Sequence, residues 1–594
     1  MGSCASRPTN GTSTSRALGD LDSDSCHPMY APMWVIRVQD VLKMTGRFPP
    51  HQELKQQGLL RVRERMNPWS WAIFVSHQWL GRNHPDPNGE QLKVLQEILQ
   101  NLISRKTTVE HNTTAQFFLK GRSLTKAECS DLQNAFVWLD YCCVPQMIHS
   151  AECSREEQLQ HIFSIPYYVD ACQIFVALVP RSCHETGEPC AEATWIQRGW
   201  CRTEMWCKLL SEASDIPIMM VTSGDSVEFA TPRWTLNTVH SGQFALEEDR
   251  YACGQVVQTA LDHKLSQLRL RADMDRFRLF LALWEDLMGL PARQRSLQEF
   301  LSDFAFGSLD ACRGKLGVGP VACATLAGDC EMIRTLVSAK ASLQTRTRAD
   351  EVMGVMPEST PLHLACQFRS GYLEPIKTLL QLRADVHAAR GGTPAPLNFC
   401  QRAAAIELLV QHGASVNAAT SQLKWPPIHT ACQMGAPPEA LAKLLELRAD
   451  VHGNPGGSPP IAFLAFWGNS NPNLIESAQV MLAHKADVNY VFEPEGIWRS
   501  IELACRAYSC CSRKPPGIVH MFSNFSTNSL GWSAMYGCED LTVFLLEARA
   551  DTEIRNHRGL RPVEIAKTRA VKQLIADPPQ HYQYLSDTLR NESM

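Results

Sequence analysis

TPLHLAC at Thr360–Cys366 and LLQLRADVH at Leu379–His387 are the two halves of one unit. The second half has a fixed form: an apolar helix end, a basic or glycine position, a small or acidic residue, then an apolar one. It recurs as LVSAKASLQ, LLVQHGASVN, LLELRADVH, MLAHKADVN and LLEARADTE, with the shared alanine at Ala341, Ala384, Ala414, Ala449, Ala486 and Ala550. Most intervals lie near a period of about 33 residues, which marks helical units that bury their apolar faces by stacking. The last interval is about twice as long. It holds either one degenerate repeat or a long insertion.

The first half recurs in phase, as PPIHTAC at Pro426–Cys432 and SIELAC at Ser500–Cys505. These segments resemble the TPLHxA helix start of ankyrin repeats. The resemblance implies that Pro361 opens a helix and that His363 bonds backbone between neighbouring repeats. It covers residues 319–578, about six or seven repeats, with GLRPVEIA at Gly559–Ala566 as a terminal unit. PAPLNFC and PPIAFLA lack the histidine, and inserts such as Tyr508–Ser529 interrupt the stack. The implied fold is an all-α solenoid whose concave surface binds a protein partner.

The first half of the chain has a different rhythm. Residues 1–32 form a Ser-, Thr- and Gly-rich tail, expected to be disordered. Residues 33–68, with VIRVQDVLKM and LKQQGLLRVRERM, read as a helical lead-in. Four apolar runs then alternate with helical patterns: Trp71–Ser76, Ala135–Asp140, Gln173–Val179 and Ile216–Thr222. Pro166 breaks or kinks the helical stretch between the second and third. Strands apolar throughout imply a parallel sheet covered on both faces, with its working edge at the strands' carboxyl ends. Ser76, His77, Asp140, Tyr141 and the first turns of a helix at RGWCRTEMWCKLL (Arg198–Leu210) fall at that edge by connectivity. On that helix Trp200 and Glu204 stand one turn apart. An aromatic plate beside a carboxylate can hold a nucleoside; it is equally the pattern of core and rim, with Glu204 pairing Arg198 or Arg202. His77 and His84 read as loop hydrogen-bonders.

FVSHQWLG, VWLDYCCVPQ, QIFVALVP and RGWCRTEM, in that order, resemble a Toll/interleukin-1 receptor (TIR) domain over residues 69–222, with a long insert at 106–133. WCRTEM resembles the WCxxEL segment of plant-type members, whereas SHQWL and HPD depart from the family's usual loops. The resemblance implies a flavodoxin-like parallel α/β fold. It also implies possible NAD glycohydrolase activity, with NAD as substrate and no resident cofactor. Glu204 is then the catalytic carboxylate, Trp200 the aromatic beside the nicotinamide, and Ser76, Trp79 and Asp140 the pocket lining. Bond cleavage builds positive charge on the ribose, which a fixed carboxylate stabilises. Many TIR domains are adaptors, so a non-enzymatic scaffold and a nucleotide sensor that binds without cleaving are the alternatives. Partner engagement or membrane clustering is expected to bring such domains together in self-association, of which the sequence gives no direct sign.

Residues 223–318 read as a mainly helical connector without catalytic pattern, and 579–594 as a tail. The net charge of -4 gives no basic excess for nucleic acid. No P-loop is present, and the cysteines near Cys183–Cys207 lack paired metal spacing, so no metal site is expected there. The 22 cysteines read as reduced thiols. Met1–Ser6 fits N-myristoylation at Gly2, with Cys4 placed for palmitoylation. Two chains give stable anchoring. The expected setting is cytoplasmic, peripheral on the cytoplasmic face of a membrane.

Overall fold

Four of the apolar runs build the centre of a mixed sheet. The computed structural model describes residues 27–63, 71–111, 123–147, 154–230, 237–309, 316–348, 354–369, 372–419, 425–452, 459–512 and 515–578. Its strands are β1 (Trp34–Arg37), β2 (Leu60–Val62), β3 (Ala72–His77), β4 (Glu110–His111), β5 (Phe136–Leu139), β6 (Ile174–Leu178), β7 (Ser182–Cys183), β8 (Pro189–Cys190), β9 (Met219–Ser223) and β10 (Ser226–Phe229). Eight pair in the order β2-β1-β5-β3-β6-β9-β10-β4, and β7-β8 form a separate hairpin. β5, β3, β6 and β9 run parallel. The helices Glu90–Ile103, Arg155–Phe163, Ile165–Asp170 and Gly199–Leu210 lie in the crossovers. Ser164 separates the second and third, and Pro166 sits in the first turn of the third. There its missing N–H costs nothing.

Two expectations are corrected. Residues 33–68 are not helical throughout: β1 pairs antiparallel with both β5 and β2, extending the sheet. The four-residue WVIR strand runs directly into the Val38–Val41 helix, too short a run to show a strand period. The sheet also passes the expected boundary at residue 222, because β10 returns antiparallel along β9 and β4 pairs with β10. Gly2 and Cys4 lie outside the described residues, as does the 579–594 tail.

The connector consists mainly of the helices Glu247–Leu270, Met274–Leu287 and Leu297–Asp303. The first packs on Gly199–Leu210, and the second on Pro320–Ala327, where the array begins. Seven helix-turn-helix units follow among the described residues, from Pro320–Ala327 with Cys330–Ser338 to Pro562–Ile565 with Arg569–Ala576. His363 Nδ1 accepts the Thr360 N–H at 3.0 Å, and Nε2 lies 2.9 Å from Pro394 O of the next unit. In PAPLNFC, Asn398 takes the histidine's position and donates to Thr430 Oγ1 at 3.1 Å, but this first helix tightens to a 3-10 turn, Pro396–Phe399.

The long interval is an insertion. Asn417 Oδ1 accepts the Asp450 N–H across 33 residues at 3.0 Å, and Asn489 Oδ1 accepts the Asp551 N–H across 62 residues at 2.7 Å. The same rung thus joins adjacent units on both occasions. The extra chain forms the helices Gly496–Cys511 and Gly517–Ser523, which pack on each other. SIELAC therefore lies inside an inserted helix and does not open a repeat.

Each repeat tip alternates in exposure. Ala384, Val386, Ala449 and Val451 turn inward or lie half-buried, while Asp385, His387, Asp450 and His452 are exposed. The aspartates close Asx turns onto the N–H two residues on, as in Asp385 to His387 at 2.8 Å and Asp450 to His452 at 2.9 Å. Two residues past the second helix of each of the first six units the backbone is left-handed: Lys340, Arg383, Gly413, Arg448, Lys485 and Arg549 all have positive φ.

The two halves touch. Arg181 binds Asp540 through two nitrogens, one at 2.9 Å. Lys567 pairs with Glu228, and Ser470 bonds Glu192. The Glu192–Trp195 helix packs on the 3-10 turn at Gly468–Ser470.

Candidate functional site

The register of the parallel strands assembles a buried polar group at their carboxyl ends. Val75 pairs with Leu139, so Asp140 emerges beside Ser76 and His77. β6, paired on the other side of β3, leads through the β7-β8 hairpin to the Gly199–Leu210 helix, which carries Glu204. Chain order therefore places the carboxylates of Asp140 and Glu204 on either side of one strand end.

His77 is the hub. Its Nδ1 is 2.6 Å from Gln91 Oε1 and its Nε2 is 2.8 Å from Asp140 Oδ1. Gln91 Nε2 donates to Gln78 O at 2.9 Å, which fixes the amide so that its oxygen faces the imidazole. Both ring nitrogens thus meet acceptors, and both must carry protons. Burial opposes that charge, but the Asp140 carboxylate and the hydrogen bonds from the ring to Asp140 and Gln91 outweigh it and raise the His77 pKa. Asp140 responds in the opposite direction. Burial pushes its pKa up, while His77, the Trp79 indole N–H at 2.9 Å and the Tyr141 N–H at 2.6 Å bring it below the usual value. The Asp140 side chain keeps 35% of its surface open, whereas that of His77 keeps 2%. Asp140 is therefore the face of the pair that a ligand would meet.

Glu204 is the opposite case. Burial raises its pKa to about 8; a hydrogen bond from Ser76 opposes the shift, Asp140 adds to it and His77 subtracts. Ser76 Oγ accepts the Trp195 indole N–H at 3.1 Å, which leaves its own O–H for Glu204. The shifts thus favour the charged forms of His77 and Asp140 and the protonated form of Glu204. Two carboxyl groups with divergent pKa values can share acid and base roles.

Ser76, Trp79, Asp140 and Glu204 come together as the sequence suggests. Trp200 does not join them: its indole N–H donates to Asp249 on the connector helix at 3.1 Å. The connector covers the first turn of the Glu204 helix, so Trp200 is drawn outward. Neither does Arg202 pair with Glu204. Its guanidinium bonds Ile196 O at 2.7 Å, Thr238 O at 2.9 Å and Ser241 Oγ at 2.8 Å. His84 bonds Phe48 O at 2.9 Å, in the loop role expected of it. Gln91 and Trp195 were not foreseen; no local pattern marks them, because each reaches the site only through tertiary packing. None of the described cysteines forms a disulfide.

The ankyrin-repeat family matches residues 358–390. An ankyrin repeat is present there. The match takes in Thr360–His363, whose cap and inter-repeat bond are described above, and the Arg383–His387 tip. It includes no part of the α/β domain. Among solved structures, the ankyrin repeat domain of human ASB11 is similar at 17% identity and a TM-score of 0.31, covering 44% of this chain and 99% of that one. No curated protein matches the chain in sequence. Among the described residues no helix is long and apolar enough to cross a membrane.

Proposed function

We propose that the chain is a protein-interaction scaffold whose ankyrin array binds a partner protein along its exposed tips. The observation that carries this is the recurrence of one exposed frame, as in Arg383–Asp385–His387 and Arg448–Asp450–His452, on a stack kept in phase even across its insertion. A rigid row of exposed charged and imidazole groups on a buried Ala and Val footing is a recognition surface, not a core. The test is a photo-crosslinking side chain placed at His387, at His452, or at Lys377 on an outer helix. Tip sites should capture the same protein and Lys377 should not. Capture independent of position would sink the reading.

A second reading concerns the α/β domain, taken as TIR-like and flavodoxin-like. The order of its four parallel strands, second-first-third-fourth, supports this, because it is the order of flavodoxin-like sheets, whose ligands bind where the order reverses. Ser76, Trp79, Asp140 and Glu204 gather at that place. NAD hydrolysis there would use Glu204 as the carboxylate that stabilises charge on the ribose. A neutral Glu204 cannot do so, and the cation of bound nicotinamide would have to lower its pKa. Full-length protein is incubated with NAD from pH 6 to 9 and nicotinamide release followed. Activity that rises through about pH 8 and is lost in Glu204→Gln supports the enzyme. Saturable NAD binding without release supports a sensor. Neither leaves the scaffold alone. Acylation at Gly2 and Cys4 would hold this scaffold on the cytoplasmic face of a membrane, where TIR-like domains could self-associate.

A further inference from the structure

We propose that His27, Asp170 and His263 form a binding site for one divalent transition-metal ion of the zinc class. The three residues come from separate parts of the fold. His27 precedes β1, Asp170 ends the Ile165–Asp170 helix, and His263 lies within the Glu247–Leu270 helix of the connector. One ligand atom from each falls within 4.8 Å of the others. His27 Nε2 stands 3.4 Å from Asp170 Oδ2, and the two imidazole centroids are 4.1 Å apart.

These distances suit an ion better than a direct ion pair. A charge-assisted N–H···O bond is about 2.7–2.9 Å long. Two ligands each about 2.0–2.1 Å from a tetrahedral zinc stand about 3.3 Å apart. The His27–Asp170 edge already has that length, and the other edges close with shifts of roughly 1.5 Å or less. Asp170 Oδ1 is buried and makes no hydrogen bond of normal geometry among the described residues, and a side-chain interaction with Ser211 lowers the Asp170 pKa against the rise that burial causes. Two imidazoles and one carboxylate are a ligand set for zinc with its fourth position open to water. Lys208 and Lys264 lie near Asp170, but Lys264 is bound to Glu212 at 2.6 Å and Lys208 donates to Ser214 O at 3.2 Å. An ion here would clip the segment before β1 onto the connector helix. It would thereby fix the exit of the tail that carries Gly2 and Cys4.

The test uses the full chain freed of metal by chelation, titrated with Zn2+ by calorimetry and with Co2+ by visible absorption. One ion should bind with the weak ligand-field bands of nitrogen and oxygen ligands, and it should slow proteolysis before residue 33. His263→Ala and Asp170→Asn should each weaken binding by more than the roughly 10–100-fold typical of an outer-shell change. His27→Gln, on the chain segment outside the helices, repeats the test if either of those variants misfolds by circular dichroism. Absence of binding overturns the proposal. So does binding of equal strength in the variants, or a strong sulfur-to-cobalt band that places the ion on cysteine.

Discussion

The left-handed basic residues at the repeat tips give a test whose sign is not obvious. Lys340, Arg383, Arg448, Lys485 and Arg549 have φ between 61° and 72°, where Gly413 takes the equivalent place at 93°. A side chain costs about 1–2 kcal/mol in that region. Replacing Arg383, Arg448, Lys485 and Arg549 together by glycine relieves it at four sites. Against this stands roughly 0.5–1 kcal/mol per site for the freedom glycine gains when unfolded. The lost cation beside a helix end adds about 0.3 kcal/mol at such exposed positions. The balance is a gain of about 0.5 kcal/mol per site, and the sites lie in different repeats, so about 2 kcal/mol in sum. Hydrogen exchange of array amides in the full-length chain should therefore slow roughly 30-fold at the most protected helices. Gly413→Ala should speed exchange locally, since a Cβ there meets nothing within 4 Å and only backbone strain is added. Gln381→Gly, at the helix end two residues before Arg383, is the control and should also speed exchange. If the fourfold variant exchanges faster than wild type, the tips are not strained and the reasoning fails.

Three further outcomes follow from the same structure. Burial lowers the His363 pKa to about 4, so the folded array binds fewer protons than the unfolded chain; stability is full above about pH 6.5 and falls as pH drops toward 4, a slope that His363→Asn should flatten in acid-unfolding curves. Glu204 has the opposite sign: its raised pKa makes the folded state bind more protons, so stability present below about pH 4.5 is lost as pH rises through 8, and Glu204→Gln should melt higher than wild type at pH 8 while matching it near pH 5. If Gly2 is acylated, Gly2→Ala moves the protein from the membrane to the soluble fraction, and unchanged partitioning would dismiss the anchor.

The sequence and the structure agree where burial alone decides. The runs at Trp71–Ser76 and Gln173–Val179 are strands because nothing polar interrupts them, and the edge position of Asp140 follows from connectivity. Repeat phase is equally legible, since Ala384 and Ala449 must fit the same inward slot. What local patterns leave out are contacts between elements. WVIR is a strand only because β5 offers it an edge, and SIELAC has a repeat-like spelling inside a helix that belongs to no repeat. Trp200 and Glu204 share a helical spacing, yet the connector claims one and the sheet edge the other. Gln91 becomes important only when Gln78 O fixes its amide, which no spacing rule encodes.

The array's role is tested most directly by reversing charge along the tips without touching their footing. Asp385→Lys with Asp450→Lys loses two Asx turns, so hydrogen exchange must first show the stack intact. Proximity labelling in cells should then lose one protein neighbour that wild type and Lys377→Glu both retain. If the set of neighbours is the same for all three chains, the tips are not the partner surface and the scaffold account is contradicted.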